Sequence, residues 1–188
     1  APDIGAYEFG QTPWRAGHDF GKFPDIDTTR SIPLFRNRLG NSAFEHENHL
    51  SPWEVSGEYD LITGSKIHTT PDTAQLRMGR HSISLTVKGE LSQQITGLET
   101  NSWFEFSAFV RVKWGDKVII GVRNPDGSEQ LGTIMEGNYP KWNRLKLSFK
   151  TSADQQNAEV FIRKLSGENT FYIDDCGLVY QGDYPDLP

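Results

Sequence analysis

A single cysteine, Cys176, stands in the 188 residues, so no internal disulfide can form and a small stapled scaffold is excluded. A chain of this length buries enough apolar area to fold without staples, so export is not excluded. Basic residues are the minority: 19 Lys and Arg against 25 Asp and Glu leave a net charge of −6. Generic nucleic-acid binding, which needs a basic field, is therefore disfavoured. No run approaches the ~18 apolar residues of a membrane span, and no charged-then-apolar leader opens the chain. Long Ala, Leu, Glu and Lys stretches are missing, which removes a helix bundle. There is no Gly-x-Ser-x-Gly elbow, no phosphate loop and no Cys–His arrangement. His46 and His49 flank Glu47 at a spacing that does not match a zinc-protease helix. Independent catalysis is not expected; Cys176 reads as a small core residue of a late strand.

What is present favours β structure. There are 18 Gly, 10 Pro and 12% aromatic residues. Residues 1–40 carry Pro2, Pro13, Pro24 and Pro33 without a sustained period and read as a strand end and an irregular linker. From residue 41 onward, short alternating runs are separated by turns. In Trp103–Lys113, Phe104, Phe106, Ala108, Val110 and Val112 alternate with Trp103, Glu105, Ser107, Phe109, Arg111 and Lys113, the pattern of a half-buried strand. The same alternation marks His81–Val87, Val118–Arg123, Trp142–Lys150, Ala158–Lys164 and Phe171–Leu178. Asn124-Pro125-Asp126-Gly127 is a turn signal. With no helical segment between them, these runs predict a two-sheet antiparallel sandwich. Within the last run, the apolar parity of Phe171 and Ile173 slips to that of Cys176 and Leu178. That slip predicts a bulge at Asp174-Asp175.

Two stretches are similar to known families. Asp3-Ile4-Gly5-Ala6-Tyr7-Glu8-Phe9 resembles the closing sequence of right-handed parallel β-helix enzymes, many of them polysaccharide lyases or glycosidases. Pro13–Phe20 looks like the linker that follows it. Residues 41–180 resemble jelly-roll carbohydrate-binding modules of the cellulose- and xylan-binding kind. The resemblance rests on Asn41-Ser42-Ala43-Phe44-Glu45, Trp53, Gly79–Leu85, Ile95–Leu98, Trp103–Val112, Trp142 with Leu145, Leu147 and Phe149, and Phe171–Leu178. It implies an all-β jelly roll over 41–188 after the end of a catalytic domain and linker over 1–40, in a trimmed piece of a secreted, cell-surface or periplasmic enzyme. It also implies a structural Ca²⁺ held by Glu45, by Asp174 or Asp175, and by backbone carbonyls around Arg80–Ser82; two adjacent carboxylates in a core strand would repel each other without a cation.

The expected function is non-catalytic polysaccharide binding by a monomeric module that holds an attached enzyme on its substrate. Trp103, Trp114 and Tyr139 are the candidate platforms for sugar rings, while Trp142 and Trp53 read as core. Arg111, Lys113, Arg123, Lys146 and Arg163, with Arg144 and Lys150, lie on the non-core parity of their strands. Where several share one sheet face they suit carboxylated or sulfated chains. A neutral glycan, a structural module that binds no sugar, and a small jelly-roll lyase or hydrolase are the alternatives.

Overall fold

The structure, a computed structural model, describes residues 37–46, 50–63, 81–86 and 88–182. Among them there is no helix. Eleven strands are present: β1 (Glu54–Ser56), β2 (Tyr59–Thr63), β3 (His81–Leu85), β4 (Glu90–Thr96), β5 (Trp103–Arg111), β6 (Lys117–Arg123), β7 (Glu129–Leu131), β8 (Met135–Glu136), β9 (Asn143–Lys150), β10 (Asn157–Ser166) and β11 (Phe171–Gly182). One antiparallel sheet, here sheet A, runs β1-β4-β10-β6-β7, with β8 also on β6; the other, sheet B, runs β2-β3-β11-β5-β9. Consecutive strands thus often change sheets, and the two sheets face each other as a jelly-roll sandwich.

The alternation in sequence becomes the core through register. Phe104, Phe106, Ala108 and Val110 of β5 stand opposite Phe149, Leu147, Leu145 and Asn143 of β9. The Phe104 and Phe149 rings stack at 5.7 Å, and Tyr180 meets Phe104 edge-on at 5.6 Å. From sheet A, Val118, Ile120, Val122, Val160 and Ile162 close the other side, all fully buried. Burial of each such side chain stabilises by about 1.5–3 kcal/mol, which outweighs any preference the flanking polar residues have for other conformations.

Two devices tie the early chain to this core. The Asn37 side chain donates to Cys176 O and accepts from Leu178 N, while Gly40 exchanges two hydrogen bonds with buried Gln93. Asn37–Gly40, expected to be linker, are thus already bound to the sandwich. Trp53 is buried as expected: it packs on Phe44 at 5.8 Å, and its indole N–H donates to Asn41 O. Trp142 differs from expectation. It precedes β9, is only partly buried, and lies outside the main apolar cluster.

The bulge is present. Pairing of β11 with β5 shifts between Asp174 and Gly177, and Asp175 has φ of 50°. Sequence alternation did not reveal the seven-residue β4, whose polar Ser92 and Gln93 are buried and break the period, nor β1, β2, β7 and β8, which have two to five residues each. Such short edge strands show too few periods to stand out. Residues 1–36, including Trp14 and the β-helix-like stretch, lie outside the described residues, as do Arg80 and Val87.

Candidate functional site

Sheet B has one face in the core and one turned outward. By register, the outward row at one end of β5 is Asp60, Ser84, Tyr172 and Arg111, and the next carries Ile62, Ser82, Asp174, Phe109 and Arg144. Ser82 and Ser84 are nonetheless buried, so small hydroxyl residues form the floor of this end of the face. Arg111 is itself only 3% exposed, and its guanidinium lies 4.5 Å from the Tyr139 ring centre and 5.7 Å from that of Tyr172. Such contacts contribute about 0.5–2 kcal/mol each, at the upper end where water is excluded. Arg111 therefore supports two half-exposed tyrosines from beneath.

Tyr139 reaches this place because its loop is fastened on both sides. Tyr139 N donates to Val112 O, and Gly137 N donates to Asp116 O. A Cβ at Gly137 would sit 1.6 Å from Lys113 O, so only glycine permits the close approach. Asn138 and Asn143 exchange two side-chain amide hydrogen bonds, 3.1 and 2.6 Å, across the base of the loop. At the same end, the turn after β5 carries Lys113, exposed, and Trp114, 71% exposed. Four residues nominated from sequence, Arg111, Lys113, Trp114 and Tyr139, are thus gathered at one end of sheet B. Tyr172, Phe109 and the two serines join them. Their parity was visible in sequence, but the register that places them beside Arg111 was not.

The remaining nominated residues separate. Trp103 is on the same face at the opposite end of β5, roughly 27 Å from Arg111 at the rise of an extended strand. Lys146 lies between, where Lys146 and Arg144 share the carboxylate of Glu105 at 3.1 and 3.2 Å.

Arg123 and Arg163 are on the outer face of sheet A. They cover the two sides of Phe161 at 4.9 and 4.8 Å. Phe161, although of outward parity, is fully buried between them, and its ring lies over Gly121. Glu90, Glu129 and Glu159 pair with the two guanidiniums. Burial works against the charge on Arg123, but the bonds from Glu159, Glu129 and Glu90 outweigh it and raise its pKa. The bond from Arg163, ahead of that from Arg123, lowers the Glu129 carboxyl. A depressed carboxyl contributes stability above its unfolded pKa, near 4.5, and that stability is lost as pH falls through the folded value. Glu129→Gln is accordingly expected to flatten the fall in thermal midpoint below pH 4.5, as scanning calorimetry at stepped pH would read; an unchanged slope would count against the network.

Glu45, Asp174 and Asp175 form two pairs of contacts. Glu45 Oε1 accepts from His81 N at 3.0 Å, with Oε2 3.6 Å from His81 Nδ1. Asp174 is fully buried, and its Oδ1 accepts from Asp175 N at 2.7 Å. Cys176 beside them is buried, and burial, then the Asp174 and Asp175 charges, push its thiol pKa well up. Among the described residues, no three His, Cys, Asp or Glu side chains come together around a metal position.

No protein-family model matches the chain, and no curated protein matches it. Solved structures do. The TmCBM61 carbohydrate-binding module in complex with β-1,4-galactotriose superposes with a TM-score of 0.62 at 19% identity, over 78% of this chain and 99% of that one. The CBM22-1 xylan-binding domain of Paenibacillus barcinonensis Xyn10C gives 0.59 at 15% identity, over 80% and 97%. The enzymatically active domain of bacteriophage CBA120 tailspike protein 4 gives 0.53 at 18% identity, over 77% of this chain and 21% of that one. At these identities the likeness establishes the fold: an all-β jelly-roll sandwich of the kind found in carbohydrate-binding modules.

Proposed function

We propose that this chain is a non-catalytic polysaccharide-binding module whose site is the outer face of sheet B at the Arg111 end. The observation that carries this reading is the pair of half-exposed tyrosines, Tyr139 and Tyr172, held rigidly over Arg111 beside exposed Trp114. Flat rings next to polar groups are what a sugar's C–H face and hydroxyls need. Support comes from the fold shared with modules described as bound to galactotriose or as xylan-binding.

The preferred polymer is acidic in this proposal. Arg144 and Lys146, which share the one carboxylate of Glu105, and exposed Lys150 lie along this face with exposed Lys113 at its rim, against Asp60 and Glu105; Arg111 is buried beneath the tyrosines. Arg123 and Arg163 take no part, because three glutamates on the other sheet already neutralise them. In the full protein the module is attached to a secreted polysaccharide lyase or glycosidase and raises its local concentration on substrate.

Native gels containing alginate, pectin, carrageenan, xylan or β-1,4-galactan test this directly. Retardation by an acidic polymer, reduced about tenfold in apparent affinity by Tyr139→Ala or Trp114→Ala, is the expected result, since 1.4 kcal/mol of lost contact is a factor of ten. Retardation by xylan or galactan alone would retain the site and replace the acidic polymer with a neutral one. No retardation by any of them would leave a structural module as the reading.

The proposal extends to one structural Ca²⁺ near Asp174, Asp175 and Glu45. Carboxylate oxygens suit this hard cation, which completes its shell with backbone carbonyls and water. An ion bound at a hundredfold excess over its dissociation constant adds about 2.7 kcal/mol, roughly 5–10 °C for a chain of this size. Thermal midpoints that coincide in excess Ca²⁺ and in chelator would reject it.

A further inference from the structure

Trp103 belongs to a different place from the tyrosine site. It pairs with Lys150 across β5 and β9, and both are of outward parity, because their neighbours Phe104 and Phe149 stack in the core. Directly opposed outward residues of an antiparallel pair have Cβ atoms about 5 Å apart. Lys150 in turn lines a cleft of about 640 Å³ at the end of the sandwich, between the loops that follow β4, β6 and β9.

That cleft is built rigidly. The side chain of Gln155, only 8% exposed, donates to Asn124 Oδ1 at 2.8 Å and so joins two of the loops. Buried Thr151 donates through its hydroxyl to Glu99 O at 2.6 Å and accepts from Ser102 N, which joins the third. Asn101 N donates to Ser152 O, completing the closure. The inner wall is thus fixed by bonds within the chain. The rim carries Asn101, Gln130 and Asp154 beside Lys150, and the side chains of these four make none of those bonds. Amide, carboxylate and ammonium groups around a fixed polar cleft match the hydroxyls of a sugar ring, and the Trp103 indole, on the strand residue paired with cleft-lining Lys150, offers a flat surface for its C–H face.

We infer that this cleft is a second glycan site, in which Trp103 stacks a sugar unit and Asn101, Gln130 and Asp154 take its hydroxyls. The inference rests on the polysaccharide-binding reading and deepens it, because two sites at opposite ends of β5 engage one polymer chain twice. Joint occupancy raises affinity for polymer far beyond that of either site alone when the chain spans both. A short oligosaccharide gains nothing from it.

The two tryptophan indole N–H groups at the ends of β5 report on the two sites separately. In ¹H–¹⁵N spectra of the whole chain, the Trp103 and Trp114 indole peaks are assigned with Trp103→Phe and Trp114→Phe. The chain is then titrated with β-1,4-galactotriose, xylohexaose and tri-galacturonate. Movement of both peaks with one of these sugars is expected. The Asn101→Ala/Gln130→Ala pair, which changes only rim residues, is expected to abolish the Trp103 shift, keep the Trp114 shift, and weaken polymer retardation about tenfold or more. Movement of Trp114 alone would overturn the second site while the first stands. Movement of Trp103 alone would support the cleft and overturn the tyrosine site. If neither peak moves with these sugars or with oligosaccharides of alginate and carrageenan, both sites fail.

Discussion

Lys164→Ala is expected to destabilise the module by about 3–5 kcal/mol, the cost of leaving a buried charge without its partner. The Lys164 side chain is 1% exposed, and its ammonium lies 2.9 Å from Asp116 Oδ2, whose side chain is 2% exposed. Asn169 completes the cluster: its carbonyl accepts from Lys164 Nζ, and its amide donates to Asp116 Oδ1. Gly167 has φ of 95°, and a Cβ there would lie 1.8 Å from Asp116 Oδ1, so the turn between β10 and β11 closes over the pair only with glycine. The same Asp116 donates its N–H to Lys113 O and accepts from Gly137 N. One buried ion pair therefore joins the β10–β11 turn to the two segments that present Lys113, Trp114 and Tyr139. Chemical denaturation of Lys164→Ala would measure the loss. The double variant Lys164→Met/Asp116→Asn, which removes both charges, is expected to recover most of it. A cost under about 1 kcal/mol for the single variant would show that water reaches Asp116 in the folded state.

Phe161→Ala carries the second large effect, about 3–5 kcal/mol for truncating a fully buried aromatic side chain. The ring occupies the space over Gly121 and under the guanidiniums of Arg123 and Arg163. Its loss exposes a gap between two like charges that the ring and three glutamates now keep in place. Gly121→Val is expected to be comparably damaging from the other side, since even a Cβ at residue 121 would sit 2.2 Å from the Phe161 ring. Both variants are read by thermal and urea unfolding. Arg163→Ala in the same background is expected to lower stability and leave polysaccharide retardation unchanged. Reduced retardation at unchanged stability would instead return Arg163 to the binding site.

Much of the sandwich is legible in the chain because the side-chain period of a strand is two and stands out where apolar and polar residues alternate; β4, seven residues with Ser92 and Gln93 buried, does not display it. β5, β6, β9, β10 and β11 all announce themselves that way, and the slip of parity at Asp174-Asp175 marks the bulge. β7 and β8 fall in a stretch that reads as loop, because two or three residues cannot display a period. Trp142 shows the limit of residue type: a large aromatic at a strand start was expected in the core and is only half inside.

The amino-acid sequence by itself determined that the module is all-β and which residues of the alternating strands have inward and which outward parity. Only the tertiary structure decided which of those outward residues share a face. Arg111 and Arg163 have the same parity relative to their own cores, yet one supports two tyrosines on sheet B and the other is bound by glutamates on sheet A. The physical reason is that parity is a local property of one strand, fixed by backbone geometry. Sheet membership and register are set by long-range pairing across the sandwich, which no single segment encodes.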